Sequence, residues 1–167
     1  RACSLTQELG HSGYRNMKLA INVSAGQFID PSLPDYLQQQ IQRNELAPEQ
    51  ICLELTETVL VSDIKRARAI MNTIHEMGCM LAIDDFGTGY SSLSYLKSLP
   101  ADFIKIDRSF VSNITDDADD RNIVNSTVSM VRNMGMQVVA EGIETQAQYD
   151  LLCEFDCDYG QGYMISR

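Results

Sequence analysis

Short apolar runs alternate along this chain with stretches of helical period. Six runs predict strands: MKLAINVS (17–24), ICLELTET (51–58), CMLAIDDF (79–86), DFIKID (102–107), MQVVAEGI (136–143) and YGQGYMIS (159–166). Between them Ile64, Ala67, Ile70, Met71 and Ile74 form one helical stripe, opened by Ser62-Asp63 and closed by Gly78. Ile123, Val124, Thr127, Val128 and Val131 form another, closed by Gly135. Ser or Asp at the start supplies an acceptor for free N–H groups, and Gly at the stop takes the left-handed turn a helix end needs. LPDYLQQQIQRN (33–44) and TQAQYDLLCEF (145–155) predict two more helices, and SSLSYLKSL (91–99) a short one ending at Pro100.

Strands alternating with helices imply a parallel sheet. An open doubly wound sheet is one solution. A (β/α) barrel is better supported, because polar residues recur near the C-terminal ends of the strands, the face on which barrels build their sites. The expected fold class is therefore α/β, a (β/α)8 TIM-like barrel. Such a barrel needs eight strands and about 250 residues. This chain shows six strands and opens on a helix-like segment, ACSLTQEL (2–9). The expectation is one barrel domain over 1–167, incomplete, with about six of eight strands and the deficit at the N-terminus. No internal repeat or low-complexity linker stands out. The acidic run DDADD (116–120) reads as a solvated loop favouring the start of the next helix.

Composition narrows the partners. The 167 residues are 44 % hydrophobic and 22 % charged, an ordinary globular balance. A formal net charge of -10 disfavours polymeric nucleic acid and anionic membranes. A small phosphorylated ligand stays compatible, because a bound metal inverts the local charge. The five cysteines (Cys3, Cys52, Cys79, Cys153 and Cys157) include no CxxC pair and read as reduced and structural, with Cys153 and Cys157 as the one conceivable redox pair. Reduced cysteines suit the cytoplasm, which is the expected location; no apolar run approaches the roughly 20 residues of a membrane span and no signal peptide is visible, so no membrane segment is expected in this chain, while a parent protein could carry one elsewhere.

The strand ends carry the chemistry. The first delivers Asn22, the second Glu54 and Glu57, the third Asp84 and Asp85, the fourth Lys105 and Asp107, the fifth Glu141 and Glu144, and the last Gln161. In isolation Asn22 suits a turn, Glu57 and Glu144 a helix first turn, Lys105 a structural ion pair and Gln161 a backbone partner. Asp107 before RSF is best read as a cap. Jointly they are hard to assign to a core, since buried carboxylates are costly unless paired or metal-bound. Oxygen ligands select hard cations such as Mg²⁺, Mn²⁺ or Ca²⁺. His11, in a GHSG loop, and His75, on a helix, offer too little for a histidine site, and no thiolate spacing suits zinc. Two hard cations a few ångströms apart suit in-line attack on a phosphodiester. A lysine there could position water, take a proton or neutralise phosphate charge.

The motifs NVSAGQF, ELTET, DDFGTGYSSL, IKIDRSFV, VVAEGIET and QGYMIS together resemble the EAL domain, in order and over nearly the whole chain. The resemblance implies hydrolysis of cyclic di-GMP to linear pGpG by two Mg²⁺ or Mn²⁺ ions in a modified (β/α)8 barrel, with Ca²⁺ as an inhibitory ion. It implies that Asn22, Glu54, Asp84, Asp85 and Glu141 are metal ligands and that Lys105 acts on the nucleophilic water. Glu144 and Gln161 would support the site. The segment from Asp84 to Leu93, including Phe86, Gly87, Thr88 and Gly89, would couple metal binding to homodimer formation near Ser91 to Leu99, with Glu57 holding that loop. Two departures stand out. The Glu-Ala-Leu signature is absent, so the intact domain is expected to be the enzyme and this chain alone inactive. Gly26 replaces a basic residue common in the family, which would weaken ligand contact.

Other motifs fail on context. DFG (85–87) has no HRD-type loop beside it, GTGYSS lacks the third glycine of a dinucleotide fingerprint, and no GxSxG occurs. Two competing functions are a cyclic di-GMP-binding module without catalysis and a Schiff-base barrel with Lys105 as nucleophile. The filled ligand positions favour the enzyme over the first, and the crowd of carboxylates speaks against the second.

Overall fold

The computed structural model describes residues 18–57, 59, 63–87 and 96–166. Six strands, β1 (Leu19–Asn22), β2 (Ile51–Thr56), β3 (Met80–Phe86), β4 (Phe103–Ile106), β5 (Gln137–Glu141) and β6 (Tyr159–Gln161), follow one another in chain order in one sheet. The pairs β1–β2, β4–β5 and β5–β6 are parallel. Parallel neighbours in chain order require a crossover between each pair, which is the (β/α) barrel arrangement the alternating pattern predicts. The opening segment and most of the short helix expected at 91–99 lie outside the described residues.

The chain divides into two compact units, the first comprising 1–82 and 93–101 and the second 83–92 and 102–167. In the first, β1 and β2 are accompanied by α1 (Ala25–Phe28), α2 (Leu33–Arg43) and α3 (Ile64–Glu76). Asp63 caps α3 by accepting from the Arg66 amide at 3.1 Å, and Ala67, Ile70, Met71 and Ile74 are buried, as the stripe predicts. Gly78 ends the helix in the left-handed region, φ 91°. Phe28, Ile51, Leu53, Leu55, Met71 and Ile74 are almost wholly buried and form this unit's core.

The second unit holds β4, β5 and β6 with α4 (Arg108–Val111), α5 (Ala118–Asn133) and α6 (Gln146–Glu154). The acidic run behaves as expected: Asp117 caps α5 by accepting from the amides of Asp119 and Asp120 at 2.7 and 3.3 Å. Two expectations are corrected here. Ile123 is 44 % exposed, because the buried edge of α5 runs through Val124, Val128 and Val131, and one residue back turns the side chain about 100° away. The last strand stops at Gln161 rather than 166, because the Gly162 carbonyl accepts from the amides of Ile165 and Ser166 at 3.0 and 3.1 Å and closes a turn.

Cys52 and Cys79 are buried, as their apolar surroundings suggest, and Cys153 and Cys157 are both free thiols. Burial, before all else, pushes the Cys157 thiol up to about 11. Only the thiolate reacts, so Cys157 presents about 10²-fold less nucleophile at neutral pH than an ordinary cysteine. Limited alkylation with iodoacetamide, followed by peptide mass spectrometry, is therefore expected to label exposed Cys153 well before Cys157. Equal rates would show that the burial of Cys157 is not maintained in solution. No helix among the described residues is long and apolar enough to cross a membrane.

Candidate active site

The second unit gathers four of the expected residues at one point. Strand β3 presents Asp84 and Asp85, β4 presents Lys105 and β5 ends on Glu141. Carboxylate oxygens of Asp84, Asp85 and Glu141 all lie within 4.8 Å of one another. Lys105, only 5 % exposed, places Nζ 3.1 Å from Asp84 Oδ1 and 2.7 Å from Glu141 Oε1. Its ordinary reading as an ion-pair lysine is thus correct as geometry, yet both partners are candidate ligands.

In an ideal strand Asp84 and Asp85 would point to opposite faces. The chain resolves this at Asp85 itself, which takes a left-handed φ of 55°, and again at Gly87, φ 97°. Aspartate tolerates that region better than most residues. Asp84 helps to hold the bend, its Oδ1 accepting from the Asp85 amide at 3.0 Å. At Gly87 the left-handed backbone disfavours any side chain, and an added Cβ would stand 3.0 Å from the Phe110 ring, a tight contact that the ring would have to yield to.

The electrostatics are those of an anionic cluster. The Asp85 carboxyl is pushed above its ordinary value by burial first, then by the charges of Asp84 and Asp107, with Lys105 opposing. Asp107 caps α4, as expected, and the hydrogen bonds from the Ser109 hydroxyl and amide hold its carboxyl below the usual range. Three carboxylates share one lysine here. Oxygens around a small divalent ion stand about 3–4 Å apart, so this all-oxygen cluster fits a hard cation after small adjustments.

Beside Glu141 a groove of about 300 Å³ is lined by Arg108, Glu144, Gln161, Tyr163 and Ser166. Gln161 stands opposite Glu141 in the β5–β6 register. Glu144 accepts from Arg108 Nη2 at 2.8 Å; both side chains are substantially exposed, so this pair orients more than it stabilises. The Arg108 stem passes so close to Gly142 that a Cβ there would lie 2.3 Å from Cγ. Gln148, 5 % exposed and outside the groove's lining, accepts through Oε1 from the Glu144 amide at 2.8 Å. Arg108 and Gln148 were not among the residues the sequence singled out. TQAQ (145–148) carries a readable sign, the Thr-x-x-Gln capping box, whereas nothing local marks Arg108.

In the first unit Asn22 and Glu54 are register partners across β1 and β2. Glu57 is 3 % exposed just beyond the end of β2, and Phe86 is buried at the end of β3. Thr88 and Gly89 lie outside the described residues.

The sheet order defines a barrel-type domain, and Asp84, Asp85 and Glu141 form a group of carboxylates that could hold a metal ion. The chain belongs to the EAL domain family, whose profile matches residues 1–167. It is 40 % identical over 155 residues to the bifunctional diguanylate cyclase/cyclic di-GMP phosphodiesterase MucR of Pseudomonas aeruginosa, covering 93 % of this chain and 23 % of that protein. The solved structure of the PaMucR phosphodiesterase in complex with c-di-GMP matches with a TM-score of 0.95 at 38 % identity, covering 99 % of this chain and 67 % of that one. A manganese/cy-diGMP complex of Klebsiella pneumoniae BlrP1 matches with a TM-score of 0.85 at 31 % identity, covering 96 % of this chain and 42 % of that one. The chain spans 20 to 27 % of the length of the first curated relatives it matches.

Proposed function

We propose that the intact domain is a metal-dependent phosphodiesterase that opens cyclic di-GMP to linear pGpG. The observation that carries this reading is the cluster of Asp84, Asp85 and Glu141 around Lys105. The cluster would hold Mg²⁺ or Mn²⁺, with Asn22 and Glu54 as further oxygen ligands carried over from the family resemblance. Divalent ions there would supply an activated water and charge stabilisation for in-line displacement at phosphorus. Lys105 keeps two carboxylates in fixed orientation and offers its positive charge where phosphate charge develops. Buried and engaged by both, it is poorly placed to act as a Schiff-base nucleophile. Glu144 and Gln161 line the groove beside Glu141, where a phosphate and its attacking water could be oriented. A homodimer through the segment near 91–99 belongs to the same proposal.

The test is turnover by the intact protein with Mg²⁺ or Mn²⁺, followed by chromatography of the products. Linear pGpG is expected, with loss of turnover on chelation and restoration on adding Mn²⁺. Asp84→Asn and Asp85→Asn are each expected to lower kcat about 10²-fold or more. Cyclic di-GMP binding without any product would replace this reading with that of a binding module.

A further inference from the structure

We propose that Gln148 is a positioning residue whose buried amide fixes the loop bearing Glu144; the inference rests on the phosphodiesterase reading of that site. Gln148 lies in the first turn of α6 and is 5 % exposed. Its Oε1 accepts from two consecutive amides, Glu144 N at 2.8 Å and Thr145 N at 3.0 Å. Its Nε2 donates to the Ser112 carbonyl at 3.1 Å, 36 residues away in sequence. Ser112 is the C-terminal cap of α4, the helix that begins with Arg108.

Arg108 reaches the same loop from the other side. Its stem lies against Gly142, and its guanidinium pairs with Glu144. The β5–α6 loop is therefore tied to both ends of α4, by its backbone through Gln148 and by the Glu144 side chain through Arg108. An exposed ion pair alone holds a carboxylate loosely. A buried amide with three hydrogen bonds does not slip, because leaving any of these groups unmet costs about 1–3 kcal/mol. The amide is also the right chemistry. A carboxylate could accept from both loop amides but would set an oxygen against the Ser112 carbonyl oxygen.

The experiment uses the intact protein with Gln148→Met, Gln148→Glu, Glu144→Ala and the double variant Glu144→Ala/Gln148→Met. Amide hydrogen exchange over 142–148 and the kinetics of cyclic di-GMP hydrolysis are both measured. Gln148→Met is expected to accelerate exchange at Glu144 and Thr145, and to lower kcat, each about tenfold. Gln148→Glu, which keeps the two acceptor bonds, should fall between it and the wild type, and it keeps the proposal testable should Gln148→Met fail to fold. Because Gln148 acts through Glu144, Gln148→Met should lower kcat no further in the Glu144→Ala background. Independent, multiplying losses would show a merely structural role and overturn the inference, as would unchanged exchange. If the wild type binds cyclic di-GMP without hydrolysing it, the phosphodiesterase reading falls and the same cycle is read on Kd. If it neither binds nor hydrolyses, the exchange arm alone decides the clamp.

Discussion

Lys105→Met is expected to lower turnover of cyclic di-GMP by about 10²-fold or more and to make the protein dependent on divalent cations for its stability. The side chain is replaced by one of similar length, so the change is chiefly electrostatic. It removes the ammonium at 3.1 Å from Asp84 and 2.7 Å from Glu141 and leaves three carboxylates facing one another. Removing one partner of a buried pair costs about 3–5 kcal/mol. The lower end applies here, because the Glu141 side chain is 20 % exposed and water can screen part of the repulsion. At about 2–4 °C per kcal/mol for a domain of this size, a cost of about 3 kcal/mol lowers Tm by about 6–12 °C in chelator. Mn²⁺ then has more to offer the variant than the wild type, since no ammonium competes for the same oxygens. Its upward shift of Tm should be larger in Lys105→Met. Equal shifts in both proteins would show that the lysine and the cation do not share these carboxylates, and near-normal turnover would remove Lys105 from the site.

Lys105 also marks how far the sequence carries. IKID in a predicted strand already put a lysine at the end where barrels place their chemistry, and the structure adds only which carboxylates it meets. The strand-end rule works because a parallel strand's C-terminal end opens onto loops, so a charged residue there is unlike one in the core. Asp107 was legible as a cap from its Ser109 partner two residues on. The bend at Asp85 was not, since a pair of adjacent aspartates suggests a distortion without saying which residue takes the left-handed turn. Arg108 escaped for a different reason. Its partner Glu144 is 36 positions away, and the contact depends on Gly142 leaving room for its stem, which only the packing reveals. Ile123 was assigned to the buried face because hydrophobicity alone cannot separate a stripe's edge from its centre.

Gly162→Ala tests whether the exit of β6 is as tightly coupled to β5 as the backbone indicates. A Cβ at Gly162 would lie 2.1 Å from the Ile143 carbonyl oxygen and 2.3 Å from its nitrogen. Both are main-chain atoms held on either side: Ile143 N donates to the Gln161 carbonyl, and its carbonyl accepts from Met164 N, each at 3.1 Å. No rotamer change relieves such a contact, so the loop after β5 and the turn after β6 must separate. Overpacking of well-packed sites costs about 1–3 kcal/mol even where side chains can yield, and the upper end is expected here. Separation also breaks the two hydrogen bonds and displaces Gln161 from its place opposite Glu141, so turnover should fall together with stability. Gly26→Ala is the control, because nothing lies within 4 Å of its added Cβ in α1, and alanine there should be neutral or stabilising by up to about 1 kcal/mol. Thermal unfolding and kcat measured for both variants decide the matter. If Gly162→Ala unfolds at the wild-type Tm with wild-type kcat, the β5 and β6 exits are not held in contact in solution.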